Sequence, residues 1–306
     1  MSGGAPAQWG EAAPAVEEIG RPTLLRRHAP VLAGWRGVAA STATTVVVVG
    51  ILVTLLVMPR SAPFRHEFLN PSQARLAILG HQSTGVVSVV RAFWLNIWLS
   101  VVCEVLVLVL ALGVATLRLT RGPILRPFRA LMIVYTDFAR GVPLILLMLW
   151  IGLGVPALYI WPISYQSVVV YGGFVLVFTY TAYVSEVMRA GILSVPSAQV
   201  QAARSLGLKS RQSMRHVIVP QAVRNVLPAL LNDFISLQKD TAIVLTLGII
   251  EVTNAAQIDS GATFNFTSFT IAAACFLIIT VPLTRLTDRL MARDRERRLS
   301  GILGVR

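Results

Sequence analysis

Between Val226 and Val252 an otherwise apolar run carries Asn232, Asp233, Ser236, Gln238, Lys239, Asp240 and Thr241. Two carboxylates, one ammonium and several neutral hydrogen-bonding groups can solvate a zwitterionic small molecule. They can equally lock neighbouring helices together through ion pairs. Asn232, Ser236 and Lys239 recur at i, i+4 and i+7, which places them on one helical face. Glu104 is an isolated carboxylate in a second apolar run, Phe93–Leu117. In a third run Thr179, Thr181 and Tyr183 lie just above Glu186 and Arg189, whose three-residue spacing suits a local ion pair. Asp137 and Arg140 repeat that spacing. None of the four histidines, His28, His66, His81 and His216, falls in an apolar run, and none has metal-ligand spacing. Cys103 and Cys275 sit inside apolar runs as small hydrophobes. The pattern therefore predicts no catalytic residue, no metal and no cofactor, and argues against a membrane-embedded hydrolase.

These residues need elements to hold them, and composition says which. The chain has 306 residues, 55% hydrophobic and only 13% charged, which is too apolar for an ordinary soluble domain. We read an all-α bundle of six membrane spans: Val38–Met58, Phe93–Leu117, a third from after Pro127 to Leu153, Val168–Met188, Val226–Val252 and Phe269–Leu290. The net charge of +13 comes from arginines clustered between apolar runs. That clustering reads as membrane orientation rather than nucleic-acid binding. With six spans, the tail before Val38, the 118–129 connection, the 189–225 connection and the C-terminal tail lie on one side and carry most of the basic residues. The positive-inside rule puts that side, with both termini, in the cytoplasm.

A charged residue at mid-membrane costs about 2.5–3.5 kcal/mol on insertion scales, whereas one Leu or Ile returns only about 0.3–0.6 kcal/mol. The polar face of the fifth span must therefore look at protein or at a water-filled path. The expected path residues are Glu104, Thr179, Tyr183, Asn232, Ser236, Lys239 and Asp240. A structural pairing of Glu104 with Lys239 is the alternative. No cleavable signal peptide is expected, because the first apolar run begins near residue 38.

The 189–225 connection is polar, basic and helix-patterned. Pro196 and Ser197 can open a helix. Gly207 can end it in the left-handed conformation. Ser210 can cap a second helix that stops before Pro220. Gln201-Ala202-Ala203, three residues, Gly207, nine residues, Val217-Ile218-Val219-Pro220 resembles the EAA loop of ABC importer permeases. That loop reads Glu-Ala-Ala, three residues, Gly, nine residues, Ile, one residue, Leu-Pro. Gln201, Val217 and Val219 depart from it, and Gln201 removes a charge. Ala182-Tyr183-Val184-Ser185-Glu186 with Arg189, Ala190-Gly191-Ile192 and Val195-Pro196 is similar to the polar amino-acid group of these permeases. So are Pro220-Gln221-Ala222 with Arg224, Leu227-Pro228, Asn232, Lys239-Asp240-Thr241 and Arg140-Gly141-Val142-Pro143-Leu144.

The resemblance covers about residues 93–290 and implies an organisation. Residues 1–37 form a cytoplasmic tail, 38–92 an added first span and outer loop, 93–292 the permease core, and 293–306 a basic tail. The permease would sit as a multi-pass protein in a prokaryotic cytoplasmic membrane. ATP would be bound by a separate ATP-binding subunit, since this chain has no glycine-rich phosphate loop ending in Gly-Lys-Ser/Thr. That subunit would meet Gln199, Gln201, Ala202, Ala203, Gly207, Lys209, Arg211 and Pro220. The other implied partners are a second permease subunit, the same or homologous, an extracytoplasmic solute-binding protein and the lipid bilayer. The implied cargo is a polar amino acid or another small solute such as an opine. A stand-alone ion-coupled carrier would also explain intramembrane charges.

Overall fold

The computed structural model of the chain describes residues 46–303 apart from 49, 52, 55, 56, 81–86 and 121, and the side chains as far as 292. The chain divides into two units, Met1–Ala62 and Pro63–Arg306. In the first, residues 46–48, 50, 51, 53, 54 and 57 are helical and mostly exposed valines and other apolar residues. The expected first span, Val38–Met58, lies largely outside the described residues.

The second unit opens with α1 (Ala62–Phe68) and α2 (Pro71–Leu79). Asn70 caps α2 by accepting from the Ser72 and Gln73 amides, and Pro71 stands at the first helical turn, where its missing N–H costs nothing. Then come α3 (Val89–Leu119), α4 (Arg126–Gly141), α5 (Leu144–Gly154), α6 (Val168–Leu193) and α7 (Ser197–Ser205). They are followed by α8 (Ser210–Ser213), a π turn (Met214–Ile218), α9 (Val219–Asp240), a 3-10 segment (Thr241–Leu247), α10 (Val252–Thr263) and α11 (Thr267–Leu303). The described residues contain helices and no strands.

α3, α6 and the first 26 residues of α11 are long and apolar enough to cross a bilayer unaided. The remaining candidates are broken. α4 and the segment Leu144–Leu158 meet at 105°, and Ser210–Leu247 meets α10 at 52°. The expected third span is therefore an elbow rather than one helix. Pro143 sets the corner: it lacks the amide a continuing helix needs, and it pushes Val142 to extended backbone (φ −99°, ψ 132°). The fifth expected span, Val226–Val252, begins earlier, at Val219, and gives way to 3-10 geometry at Thr241 before Gly248 turns the chain at φ +80°. With each bent pair counted as one, the described residues hold up to five spans.

A broken helix inside a membrane exposes backbone groups that must be paired by protein. Asn96, fully buried on α3, serves the second break. Its Nδ2 donates to Thr241 Oγ1 (3.0 Å) and Glu251 Oε2 (2.9 Å), and its Oδ1 accepts from the Val252 amide (3.1 Å). Glu251, also fully buried, caps α10 by accepting from the Asn254 amide at 2.8 Å. Sequence reasoning named neither residue for this work.

The main core joins α3, α5, α6, α9 and the 3-10 segment through Leu99, Cys103, Val107, Leu147, Val175, Leu237 and Val244. A second cluster joins α2, α3, α10 and α11 through Ala77, Val89, Phe93, Val252, Ala256 and Cys275. Both cysteines are free and buried. α6 and α9 approach closely where the C-terminal end of α6 meets the first half of α9, with Gly191 facing Val226; a methyl group on Gly191 would collide with the Val226 side chain. Gly191→Ala should therefore destabilise the detergent-solubilised protein by about 1–3 kcal/mol, and Val226→Ala should restore most of that loss. Thermal unfolding of both single variants and the double variant measures the coupling.

Candidate functional site

α9 enters the bundle with three polar residues on one stripe, Asp233, Ser236 and Asp240, at i, i+3 and i+7. All three line a cavity of about 430 Å³. Its other walls are the α4–α5 elbow, Arg140 to Leu144, and one face of α6, Thr179, Tyr180 and Tyr183. The elbow borders the space: where the chain turns at Pro143, Arg140 to Leu144 form the wall facing α6 and α9. Tyr180 donates its hydroxyl to Asp240 Oδ2 at 2.7 Å. The Thr179 hydroxyl has no hydrogen-bond partner although the residue is 3% exposed. Asp233 Oδ2 is likewise buried without a partner.

Arg140 stands on the opposite wall. Its guanidinium lies 5.7 Å from the Tyr183 ring centroid and 3.8 Å from Glu186 Oε1. Glu186 is the centre of a larger cluster: Arg118 Nη1 at 2.7 Å and Arg189 Nε at 2.8 Å share its two oxygens. The cluster ties the C-terminal ends of α3, α4 and α6 together. The expected Glu186–Arg189 pair is present. The expected Asp137–Arg140 pair is not made, because α4 turns Arg140 toward α6 and leaves Asp137 exposed.

The remaining expected path residues fall in different places. Thr179, Tyr183, Ser236 and Asp240 line the cavity. Asn232 and Lys239 are exposed on α9 and lie outside its lining. The helical face read from Asn232, Ser236 and Lys239 is thus not the cavity face, which is turned to Asp233, Ser236 and Asp240. Glu104 on α3 is half-buried, with Oε2 unpartnered, and lies outside the cavity lining. No ion pair joins Glu104 to Lys239 among the described residues. Asp233, Tyr180 and Arg140 belong to the cavity although sequence reasoning gave them no path role. The i, i+3, i+7 spacing of Asp233 with Ser236 and Asp240 was the available signal.

The polar connection after α6 is a compact helical hairpin. α7 ends in a Schellman arrangement: Gly207 takes φ +84°, its amide donates to Arg204 O (2.9 Å), and the Leu208 amide donates to Ala203 O (3.2 Å). Ser210 does not cap the next helix. Lys209 stands at the cap, and its amide donates to Gln212 Oε1 at 2.8 Å. Nor does Pro220 end that helix, since it lies in the first turn of α9. The π turn Met214–Ile218 shifts the hydrogen-bond register just ahead of it, with the Val219 amide donating to Met214 O, so α8 runs on into α9. Gln199, Gln201, Ala202, Gly207, Lys209, Arg211 and Pro220 are exposed, whereas Ala203 is buried inside the hairpin. Leu206, 83% exposed at the tip, is an apolar knob that sequence reasoning passed over.

A bundle of apolar helices around a polar cavity, with a basic helical hairpin beyond it, defines a multi-pass membrane transport component. The family described as "Binding-protein-dependent transport system inner membrane component" matches residues 109–295, and the chain belongs to that family. It is similar to the probable amino-acid ABC transporter permease protein PatM of Vibrio harveyi, 33% identical over 181 residues that cover 58% of this chain and 78% of that protein. It is also similar to the probable glutamine ABC transporter permease protein GlnM of Bacillus subtilis, 33% identical over 178 residues covering 58% and 79%. A solved amino acid ABC transporter with histidines superimposes with a TM-score of 0.61 at 30% identity, covering 67% of this chain and 93% of that one. The chain is an ABC importer permease, a transport subunit rather than an enzyme.

Breaking a buried ion-pair cluster by removing its common member strands the remaining charges. Glu186→Ala should cost about 3 kcal/mol, near the lower end for buried pairs because the site is partly open. Chemical unfolding in detergent measures it. A loss no larger than that of an exposed-surface substitution would show that the arginines are held by something else.

Proposed function

We propose that this permease carries a polar amino acid across a prokaryotic cytoplasmic membrane, driven by ATP hydrolysis on a separate subunit. The observation that carries this reading is the charge layout of the 430 Å³ cavity: the Arg140 guanidinium on one wall, the Asp233 and Asp240 carboxylates on the other. An α-amino acid is a carboxylate and an ammonium at fixed short separation. Arg140 suits the first, through planar paired donors. Asp240, oriented by the Tyr180 hydroxyl, suits the second. Ser236, Thr179 and Tyr183 supply neutral contacts between them.

The hairpin supports the coupling half of the reading. Gln199, Gln201, Ala202, Gly207, Lys209, Arg211 and Pro220 present an exposed surface for an ATP-binding subunit, with Ala203 holding α7 in place behind them. Its basic residues favour a cytoplasmic location, with both termini on the same side. Asn232 and Lys239 argue for a second permease subunit: exposed on this chain, they cannot face lipid at a cost of about 2.5–3.5 kcal/mol for the lysine alone. A copy or homologue packed against α9 would cover them. An extracytoplasmic solute-binding protein would deliver the amino acid to the outer loops. Closure of the ATP-binding subunits would then bias the bundle between inward-open and outward-open states.

Cells expressing the complete transporter should take up a labelled polar amino acid in a way that vanadate abolishes and ionophores do not. The opposite pattern would mean an ion-coupled carrier. Gly207→Val should uncouple the system, because a β-branched residue is a steric outlier at φ +84° and the turn would have to rebuild. Uptake should fall about ten-fold or more, with membrane insertion unchanged by protease mapping. Normal uptake in that variant would remove the hairpin from the coupling route.

A further inference from the structure

A second space, separate from the polar cavity, runs along α3 between it, α4 and α6. It is a groove of about 660 Å³ with almost wholly apolar walls. Leu99, Cys103 and Val177 are buried at its base, whereas Trp98, Leu106 and Phe174 along its rim are about half exposed. α3 lines it from Trp98 to Val114, a length of about 24 Å at 1.5 Å per residue. That is most of the apolar thickness of a bilayer, about 30 Å, so the shape suits a long chain and not a compact solute. α9, which carries the surface proposed for a second subunit, contributes no residue to it. One polar group faces inward near an end. Cys103 Sγ donates to Gly173 O (3.7 Å) and Arg118 pairs with Glu186 (2.7 Å), so α3 and α6 run in the same direction and Thr181 sits level with Leu110 to Val114. Thr181 lines the groove, is 3% exposed, and its hydroxyl has no hydrogen-bond partner. Tyr135, on the α4 wall, gives its own proton to Phe178 O at 2.7 Å. A buried hydroxyl without a partner loses its solvation with no return unless a ligand answers it.

Beyond that end the groove meets positive charge. Arg129, Met132 and Tyr135 form one stripe on α4, at i, i+3 and i+6. Met132 and Tyr135 line the groove, so Arg129 stands one turn past its mouth. Its Nη1 donates to Thr120 O at 3.0 Å, which holds it against the end of α3. Arg126 is exposed and opens α4, whose N-terminus has no side-chain cap. Among the described residues neither guanidinium is paired with a carboxylate. Guanidinium groups bind phosphate strongly, and an uncapped helix N-terminus adds to the attraction. Basic pockets between membrane helices hold anionic lipid headgroups. We infer that the groove is a binding site for an anionic phospholipid: an acyl chain lies along α3, a glycerol ester carbonyl accepts from the Thr181 hydroxyl, and the phosphate meets Arg126 and Arg129. Apolar groove, lone hydroxyl and arginine pair follow one another in the order in which the lipid carries chain, ester and phosphate. α4 is a wall of this groove and, through Arg140 and Gly141, of the polar cavity too, so a bound lipid braces the helix that presents Arg140.

The test compares phosphatidylglycerol with phosphatidylcholine of identical acyl chains. Each is titrated onto the full-length permease assembled with its ATP-binding subunit in detergent, and native mass spectrometry reads the bound lipid. Phosphatidylglycerol should bind about ten-fold or more tighter, as expected for an anion facing two arginines. Replacing both, Arg126→Gln with Arg129→Gln, should bring the two lipids within about three-fold of each other. Thr181→Val, close in volume but without the hydroxyl, should weaken both lipids by about three-fold or more and leave their ratio unchanged. If the double arginine variant does not fold, Arg126→Gln alone, at an exposed position, should lower the ratio part of the way. Phosphatidylglycerol with a diazirine in its acyl chain should label the groove walls, 98–114 on α3 and 169–178 on α6. Equal binding of the two lipids overturns the inference, and so does a ratio untouched by the arginine variants. Label confined to other helices overturns it as well, since the groove is then covered by protein. Competition by free glycerol phosphate as effective as that by the whole lipid leaves an anion site only, and the groove then has no part in it.

Discussion

Glu186 holds three arginines from three helices on one carboxylate. Arg118 closes the end of α3, Arg140 the end of α4, and Arg189 belongs to the next turn of α6 itself. In a setting with few competing polar groups this contact fixes where the C-terminal ends of those helices meet. The α4–α5 elbow depends on it, because α4 is anchored at its far end by Arg140 just before the chain turns at Pro143. The cavity in turn depends on the elbow, since the wall formed by Arg140 to Leu144 is the corner itself. A single carboxylate thus sets helix ends, corner and cavity wall in sequence. It also keeps Arg140 oriented toward Tyr183 rather than free to collapse onto Asp233 or Asp240.

Both breaks in the bundle obey the same rule, that freed backbone groups inside the hydrocarbon must find protein partners. The first break is satisfied locally: the Val142 amide donates to Phe138 O, and the Leu146 and Leu147 amides donate to Pro143 O. The second recruits a side chain from a distant helix, Asn96, and a capping carboxylate, Glu251. Outside the membrane core, α1 and α2 are tied to the α10–α11 connection by main-chain contacts. The Phe266 amide donates to Glu67 O, Asn265 Nδ2 donates to His66 O, and the Asn70 amide donates to Thr267 Oγ1. These bonds fasten the His66–Asn70 stretch to the α10–α11 connection within the second unit.

Much of this was legible in the residues because the membrane enforces simple rules. Apolar runs located α3, α6 and the apolar first part of α11, Thr267–Ala292, to within a few residues, and the glycine at 207 marked a left-handed helix end. Charge spacing found Glu186 with Arg189, since local pairs on one helix follow from helical geometry alone. Pairs between helices do not, which is why Arg118 and Arg140 were missed as partners of Glu186, and Asn96 as the partner of Glu251. The cavity face of α9 was misread for a related reason. Asn232, Ser236 and Lys239 and Asp233, Ser236 and Asp240 are both valid helical stripes, and only packing against α6 decides between them. The third span was read as one helix although its early part, RPFRALMIVYTDFARG, is amphipathic and only Leu144–Gly154 is uniformly apolar; the corner comes from Pro143, whose effect on direction depends on what surrounds it.

The π turn at Met214–Ile218 makes one continuous helix out of α8 and α9. α9 alone, 22 residues long, measures about 33 Å at 1.5 Å per residue. A tilt of about 10° applied at its lower end would swing the upper end by about 6 Å, by the same geometry. Asp233, Ser236 and Asp240 ride on the moving half of that lever. The helix that carries the cavity residues Asp233, Ser236 and Asp240 is thus continuous with α8, and displacement at one end reaches the other without a relay of intermediate contacts.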